Sequence, residues 1–191
     1  MSDDKPIGAG KSSFELIDFQ ALLAELPLTE DTCLLDLACG AGAYTLALAE
    51  RLGKEAELFA YDLWAEGIEL LNREIETRQI KQVQAGVADV TQSIPLEDGC
   101  VDVCLMATVL HDFIAVKAER GVLGELARVV RTGGTLAVVE FKVLDGPPGP
   151  PRGVRITPET VQELVTSYGF RCTGTKDLGP YNYLSLFERI A

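Results

Sequence analysis

Residues 34–53 read LLDLACGAGAYTLALAERLG. An apolar run, Cys33-Leu34-Leu35, ends on Asp36. Small residues follow at Ala38, Gly40, Ala41 and Gly42, and a helical pattern over 44–52 closes at Gly53. This order predicts a strand, a tight glycine turn and a helix. Small residues in such a turn let backbone N–H groups approach a ligand at the positive end of a helix dipole. A cofactor in the crevice beyond the strand end is the default inference. The plain alternative is a βα turn of any α/β protein.

Two cofactor classes fit the turn. The dinucleotide fingerprint is G-x-G-x-x-G after a strand. Gly40-Ala41-Gly42 supplies its first half, but Thr45 stands at the third glycine position. Asp36 followed by x-(Gly/Ala)-x-Gly-x-Gly resembles motif I of the class I S-adenosylmethionine (SAM) methyltransferases, with Ala38 where that family usually has Gly. The resemblance implies that Asp36 orders the loop or helps hold the methionine amino end. It also implies that Ala38, Cys39, Gly40 and Gly42 lie against the cofactor.

Outward from this unit, the chain continues in βα steps. Residues 58–61 form a second apolar run ending on Asp62, 26 positions after Asp36. That is close to the distance expected of a ribose-binding carboxylate, which accepts from both ribose hydroxyls. Leu63 follows, placed to lie on the adenine face. Residues 65–78 read as a helix with Ile68, Leu71 and Ile75 inward. A weaker strand over 83–88 ends on Asp89, and Asp89-Val90 resembles the third motif of the same family. There the acid accepts from the adenine amino group and the next residue packs on the ring. The alternative for Asp89 is a residue that starts a turn.

Residues 94–113, IPLEDGCVDVCLMATVLHDF, resemble the family's "LP-x-x-D-G-x-(F/V)-D-x-V" region, with a strand over 101–107 whose last residue, Ala107, faces the cofactor. LGELARVVRTGG, 123–134, resembles its "E-x-x-R-V-L-K-P-G-G" helix and turn, with Arg131-Thr132 in place of Lys-Pro. A fifth strand is expected over 135–141. Gly146 to Pro151 alternates glycine and proline, which excludes helix and inner strand. Residues 142–156 are therefore expected to form a lid-like loop. Thr157-Pro158-Glu159 starts a helix with Pro in its favoured first turn. Two closing strands are expected over 170–176 and 183–189.

The remaining N-terminal stretch holds a decoy. Gly8-Ala9-Gly10-Lys11-Ser12 looks like half a P-loop, but Lys5 stands where the first glycine is required. Ser12 and Glu15 have capping-box spacing, and Phe14, Ile17, Leu22 and Leu26 suit one face of a helix that Pro27 ends.

Composition bounds the rest. At 191 residues, 47% hydrophobic and 24% charged, the chain suits one globular domain with a full core. The formal net charge of −12 disfavours nucleic acid and other polyanions. No apolar run approaches the ~20 residues needed to cross a bilayer. The polar opening MSDDKPIGAGKSS lacks a signal core, so the cytoplasm is the expected location. Five cysteines at irregular spacing give no zinc pattern, and no metal is expected.

The resemblance extends from Leu34 to Arg189 and is closest to the small UbiE-like branch, related to the quinone-biosynthesis C-methyltransferases. It implies a single α/β domain over 1–191, a three-layer αβα Rossmann-like sandwich. Its seven-stranded, mostly parallel sheet would have order 3-2-1-4-5-7-6 with strand 7 antiparallel. Residues 1–12 are expected to be a flexible segment. The implied reaction moves a methyl group from SAM, leaving S-adenosylhomocysteine, to a small acceptor, in a monomer or homodimer. His111, the chain's one histidine, is the candidate base, with Asp112 beside it. Lys11 and Arg155 are candidate contacts for an anionic group on the acceptor. The rivals are a NAD-dependent oxidoreductase and a non-catalytic SAM or adenosine binder.

Overall fold

The structure is a computed structural model that describes residues 8–190. Its strands are β1 (Cys33–Leu37), β2 (Glu57–Asp62), β3 (Val83–Val87), β4 (Val101–Ala107), β5 (Val130–Phe141), β6 (Phe170–Asp177) and β7 (Asn182–Arg189). Its helices are α1 (Phe19–Glu25), α2 (Ala43–Ala49), α3 (Ala65–Arg78), α4 (Leu110–Ala115), α5 (Glu119–Val129) and α6 (Pro158–Thr166). The strands form one sheet in the order β3-β2-β1-β4-β5-β7-β6. Pairing is parallel from β3 to β5, and β7 runs antiparallel to both β5 and β6. This is the topology the resemblance implies.

Near-continuous apolar strands follow from burial on both faces. Leu34 enters one core cluster and Leu35 the other, and Leu105 and Cys104 divide in the same way. One cluster takes Leu22, Leu48 and Leu71 from α1, α2 and α3. The other takes Phe113, Leu126 and Val161 from α4, α5 and α6. The strand order reverses between β1 and β4, so a crevice opens beyond their carboxyl ends.

Two stretches depart from the sequence expectation. The helix expected from Ser12 is broken. A 3-10 turn at Phe14–Leu16 stops at Ile17, which is extended, and α1 begins after Asp18. Asp18 is the true cap, accepting from the Ala21 N–H at 3.0 Å, while the Ser12 hydroxyl only accepts from the Phe14 N–H. The break lets Phe14 meet the Tyr44 ring edge-on at 5.3 Å, over the crevice. Strand β5 also starts five residues earlier than expected, at Val130, with a register irregularity opposite Val101 and Val103. Residues 1–7 of the expected flexible segment lie outside the described residues; Gly8–Gly10 make a turn closed by the Lys11 N–H and Gly8 carbonyl at 2.9 Å.

Two glycines of the first turn have different jobs. Both have left-handed backbones, φ 59° at Gly40 and 79° at Gly42. A Cβ at Gly42 would lie 2.3 Å from Leu71 Cδ1, whereas one at Gly40 would meet nothing within 4 Å. Gly42 lets α3 pack against α2, so Gly42→Ala is expected to destabilise the fold by about 2–4 kcal/mol through overpacking and left-handed strain. Gly40→Ala carries only the strain and is expected to cost about 1–2 kcal/mol. Urea denaturation of the two variants checks the contrast.

Candidate functional site

Two carboxylates shape the glycine turn. Asp62, at the end of β2, accepts from the Gly40 N–H at 2.8 Å through one oxygen and from the Trp64 N–H at 2.7 Å through the other. It thereby ties the β1 turn to the β2 turn, and the Cys39 N–H to Tyr61 carbonyl bond at 3.2 Å adds a second tie. Asp36 is 1% exposed and accepts from the Thr45 hydroxyl at 2.5 Å. Thr45, which spoils the dinucleotide fingerprint, is the residue that orients Asp36. Burial pushes the Asp36 carboxyl up to about 7, with the Thr45 bond opposing and the Asp62 charge adding to the rise. Ala38 holds φ 56° at the place where a glycine is usual, a conformation that strains an L side chain.

A cavity of about 380 Å³ opens over this turn. Asp36, Ala38, Cys39, Gly40, Asp62 and Ala107 all line it, as does Lys11. Trp64, Tyr44, Ser13 and Thr108 also line it, and sequence reasoning missed Trp64 and Tyr44.

A second cavity, about 700 Å³, adjoins the first. Its walls include Leu16, Ala115, Phe141, Pro148, Pro151 and Val154, with His111 and Asp112 among the polar members. Lys11, Ser13, Thr108 and Asp112 line both cavities. Ser13 is the partition between them: its hydroxyl hydrogen-bonds Tyr44 at 2.8 Å and Thr108 at 3.0 Å. Thr108 holds φ 53°, rare for a β-branched residue, and such strain clusters at functional sites.

His111 lies on α4, a short helix just past β4. It is 4% exposed, and its Nδ1 is 2.8 Å and 3.0 Å from the two carboxylate oxygens of Glu140. Its Nε2 is 3.6 Å from Asp112 Oδ1. Burial alone would lower the imidazole pKa; the hydrogen bond and charge of Glu140, with Asp112, outweigh it and raise the value. Burial also raises Asp112, against the charge of His111. Glu140 was missed in the sequence, although an acidic residue inside the apolar run LAVVEF was a visible signal.

Five expected contacts lie elsewhere. Gly42 packs on Leu71 and does not line the first cavity. Val90 is 4% exposed within the core, so it has no face to offer a ring. Asp89 turns one oxygen onto the N–H and hydroxyl of Thr91, at 3.1 Å and 2.6 Å, which is the turn-starting role. Leu63 is 54% exposed and outside the lining, whereas its neighbour Trp64 belongs to it. Arg155 is 6% exposed and donates to the carbonyls of Lys142, Gly146, Pro148 and Pro150, at 2.6–3.1 Å. Its charge is spent on folding the proline-rich loop, not on a ligand. Lys142 pairs with Asp177 at 3.1 Å and Arg152 with Asp145 at 3.0 Å. The loop therefore presents no spare cation to an anionic acceptor.

The family described as "Methyltransferase domain" matches residues 35–138, and the chain belongs to it. A SAM-dependent methyltransferase from Aquifex aeolicus is 25% identical, with a TM-score of 0.84 over 93% of each chain. Demethylmenaquinone methyltransferase from Thermus thermophilus is 34% identical across 79% of this chain and 63% of its own length. The Bacillus cereus enzyme of the same name is 29% identical across 56% of this chain and 43% of its own. The chain thus spans about half the length of the curated relatives it matches. The cofactor of this family is SAM. Among the described residues, no group of three or more His, Cys, Asp or Glu side chains is placed to hold a metal, and no helix is long and apolar enough to cross a membrane.

The raised carboxyl of Asp36 makes stability depend on pH. A carboxyl that titrates near 7 when folded and near 3.8 when unfolded binds more protons in the folded state between those values. Its relative stabilisation is present below that window and lost as pH rises through it, by at most about 1.4 kcal/mol per pH unit. Asp36→Asn keeps an acceptor for Thr45 and removes the titration. Urea melts at pH 5 and pH 7.5 are expected to show the variant gaining on the parent chain at the higher pH.

Proposed function

We propose that the first cavity holds SAM and that the second holds a small, largely apolar acceptor to which the methyl group is transferred. The carrying observation is the shared partition. Ser13, Thr108 and Asp112 face both spaces, so a donor and an acceptor in neighbouring cavities meet across them.

The chain's residues fit the cofactor. Each Asp62 oxygen accepts one backbone N–H and keeps a second lone pair for a ribose hydroxyl. The open position at Gly40 lets a ligand approach the backbone where any side chain would intrude. Asp62 puts negative charge beside a cofactor that carries a sulfonium, and Asp36 adds to it when ionised. SAM supplies a methyl electrophile when bound, so the protein's main task is alignment of the acceptor. His111 is the proton acceptor at the wall of the second cavity, with Asp112 beside its Nε2.

The acceptor follows from the walls. Leu16, Phe141, the prolines and Val154 suit a neutral ring, and the one polar end suits a hydroxyl. The relatives named for demethylmenaquinone point the same way, so a hydroquinone or phenol is the acceptor class we favour. The net charge of −12 supports a small molecule over nucleic acid, and we place the protein in the cytoplasm as a monomer or homodimer. The proline-rich loop, gripped by Arg155, is a fixed roof on this reading and not a moving lid.

Labelled SAM with a panel of hydroquinones, phenols, thiols, amines and carboxylates tests the proposal. Transfer to the hydroxylated rings is expected; transfer to none, with SAM still bound, would leave only a binding protein. Asp62→Ala is expected to weaken SAM binding by about 1.5–3 kcal/mol without unfolding the chain, as read by calorimetry, with NAD as the control ligand. Arg155→Ala strips four carbonyls of their donor. It is expected to raise the acceptor KM about tenfold or more while SAM affinity changes less than about twofold.

A further inference from the structure

Glu140 is the most deeply buried ionisable side chain near the second cavity, at 0% exposure on a strand that is otherwise apolar around it. Its Oε1 accepts from the His111 backbone N–H at 3.1 Å, and its Oε2 from the Phe141 N–H at 3.2 Å. Both oxygens also face His111 Nδ1. A carboxylate already taking an N–H on each oxygen is set as an acceptor, so the proton on that contact belongs to Nδ1. A neutral imidazole with its proton on Nδ1 has its lone pair on Nε2. Nε2 points the other way, toward Asp112 at 3.6 Å.

We propose that Glu140 is a positioning residue for methyl transfer: it holds His111 as the Nδ1–H tautomer with Nε2 free to take the acceptor's proton, then balances the imidazolium that forms. This rests on the reading of His111 as proton acceptor. In that step the acceptor gains the methyl group through a new bond to oxygen or carbon. The S–C bonding pair stays on sulfur, and the acceptor's proton passes to Nε2 and from there to water.

Three charged groups act on the ring, and a fourth acts on one of them. Glu140 faces it from β5 and Asp112 from α4, both favouring the imidazolium. Arg155 opposes from the proline-rich loop. Lys11, from the N-terminal segment, acts on Asp112 and favours its charged form. Removing Glu140 therefore takes away the main support of the protonated ring. The sign follows: the imidazole pKa falls, and the acid limb of activity moves to lower pH.

The chain has one histidine, so a long-range 1H–15N spectrum of the labelled, ligand-free protein reports this ring alone. The expected result is an Nδ1–H tautomer in the parent chain. In Glu140→Gln, a mixed tautomer is expected, with an imidazole pKa lower by about one pH unit or more. With SAM and a hydroquinone, kcat of Glu140→Gln is expected to fall about tenfold or more, its acid limb displaced downward and SAM affinity unchanged. Glu140→Asp, which keeps the charge, is expected to recover the pKa in part and serves if the glutamine variant does not fold. An Nε2–H tautomer in the parent chain, or a pKa unmoved in Glu140→Gln, would overturn the proposal. Full activity in His111→Gln would instead sink the proton-acceptor reading on which it rests.

Discussion

A single carboxylate spans the two turns on which the crevice depends. Asp62 takes the Gly40 N–H with one oxygen and the Trp64 N–H with the other. Without it, two backbone donors at the mouth of a partly buried cavity would lack partners, and each such loss costs on the order of 1–3 kcal/mol. The parallel pairing of β1 with β2 brings these turns side by side, and the reversal at β4 leaves the space above them unfilled by chain. The cavity is thus a product of topology, and Asp62 sets the shape of its floor.

The same economy governs the second cavity, where charges lie deep and each has a compensating set. Arg155 is enclosed without a carboxylate partner, and backbone carbonyls of the proline-rich loop take its place. Its guanidinium also lies over the Phe141 ring, 5.6 Å from the centroid. Glu140 is enclosed opposite His111 and two backbone N–H groups. Buried charges that lose one partner are strongly penalised, so each cluster fixes its loop or helix in one arrangement. The roof and the polar end of the cavity are held by separate clusters, and they meet at Phe141, which touches both.

The fold was legible because strand runs, glycine turns and terminal strands all obey local rules. The 14-residue α3 was read to the residue, and Thr157 caps α6 with Pro158 behind it as the pattern required. The lining of the first cavity was legible in the glycine turn and at two acidic residues at or beside a strand end, Asp36 and Asp62. Asp89 and Val90 looked alike in pattern, but Thr91 captures the acid and the core takes the valine. The pairings of Ser13 with Thr108 and of Glu140 with His111 were not legible, because they join residues 95 and 29 positions apart that only the folded sheet brings together. The cations of the loop misled for a related reason. Charge is visible in sequence, but the carbonyl cage that consumes it is not.

Trp64 gives the molecule a built-in reporter. It is the one tryptophan in 191 residues, and it lines the first cavity two residues after Asp62. Its ring lies so close to Gly67 that an added Cβ there would come within 2.3 Å of Cε3. The indole is therefore held against α3 at the edge of the first cavity. Tryptophan emission from this protein is in effect a signal from one spot, and occupancy of the first cavity can be followed by light without any label.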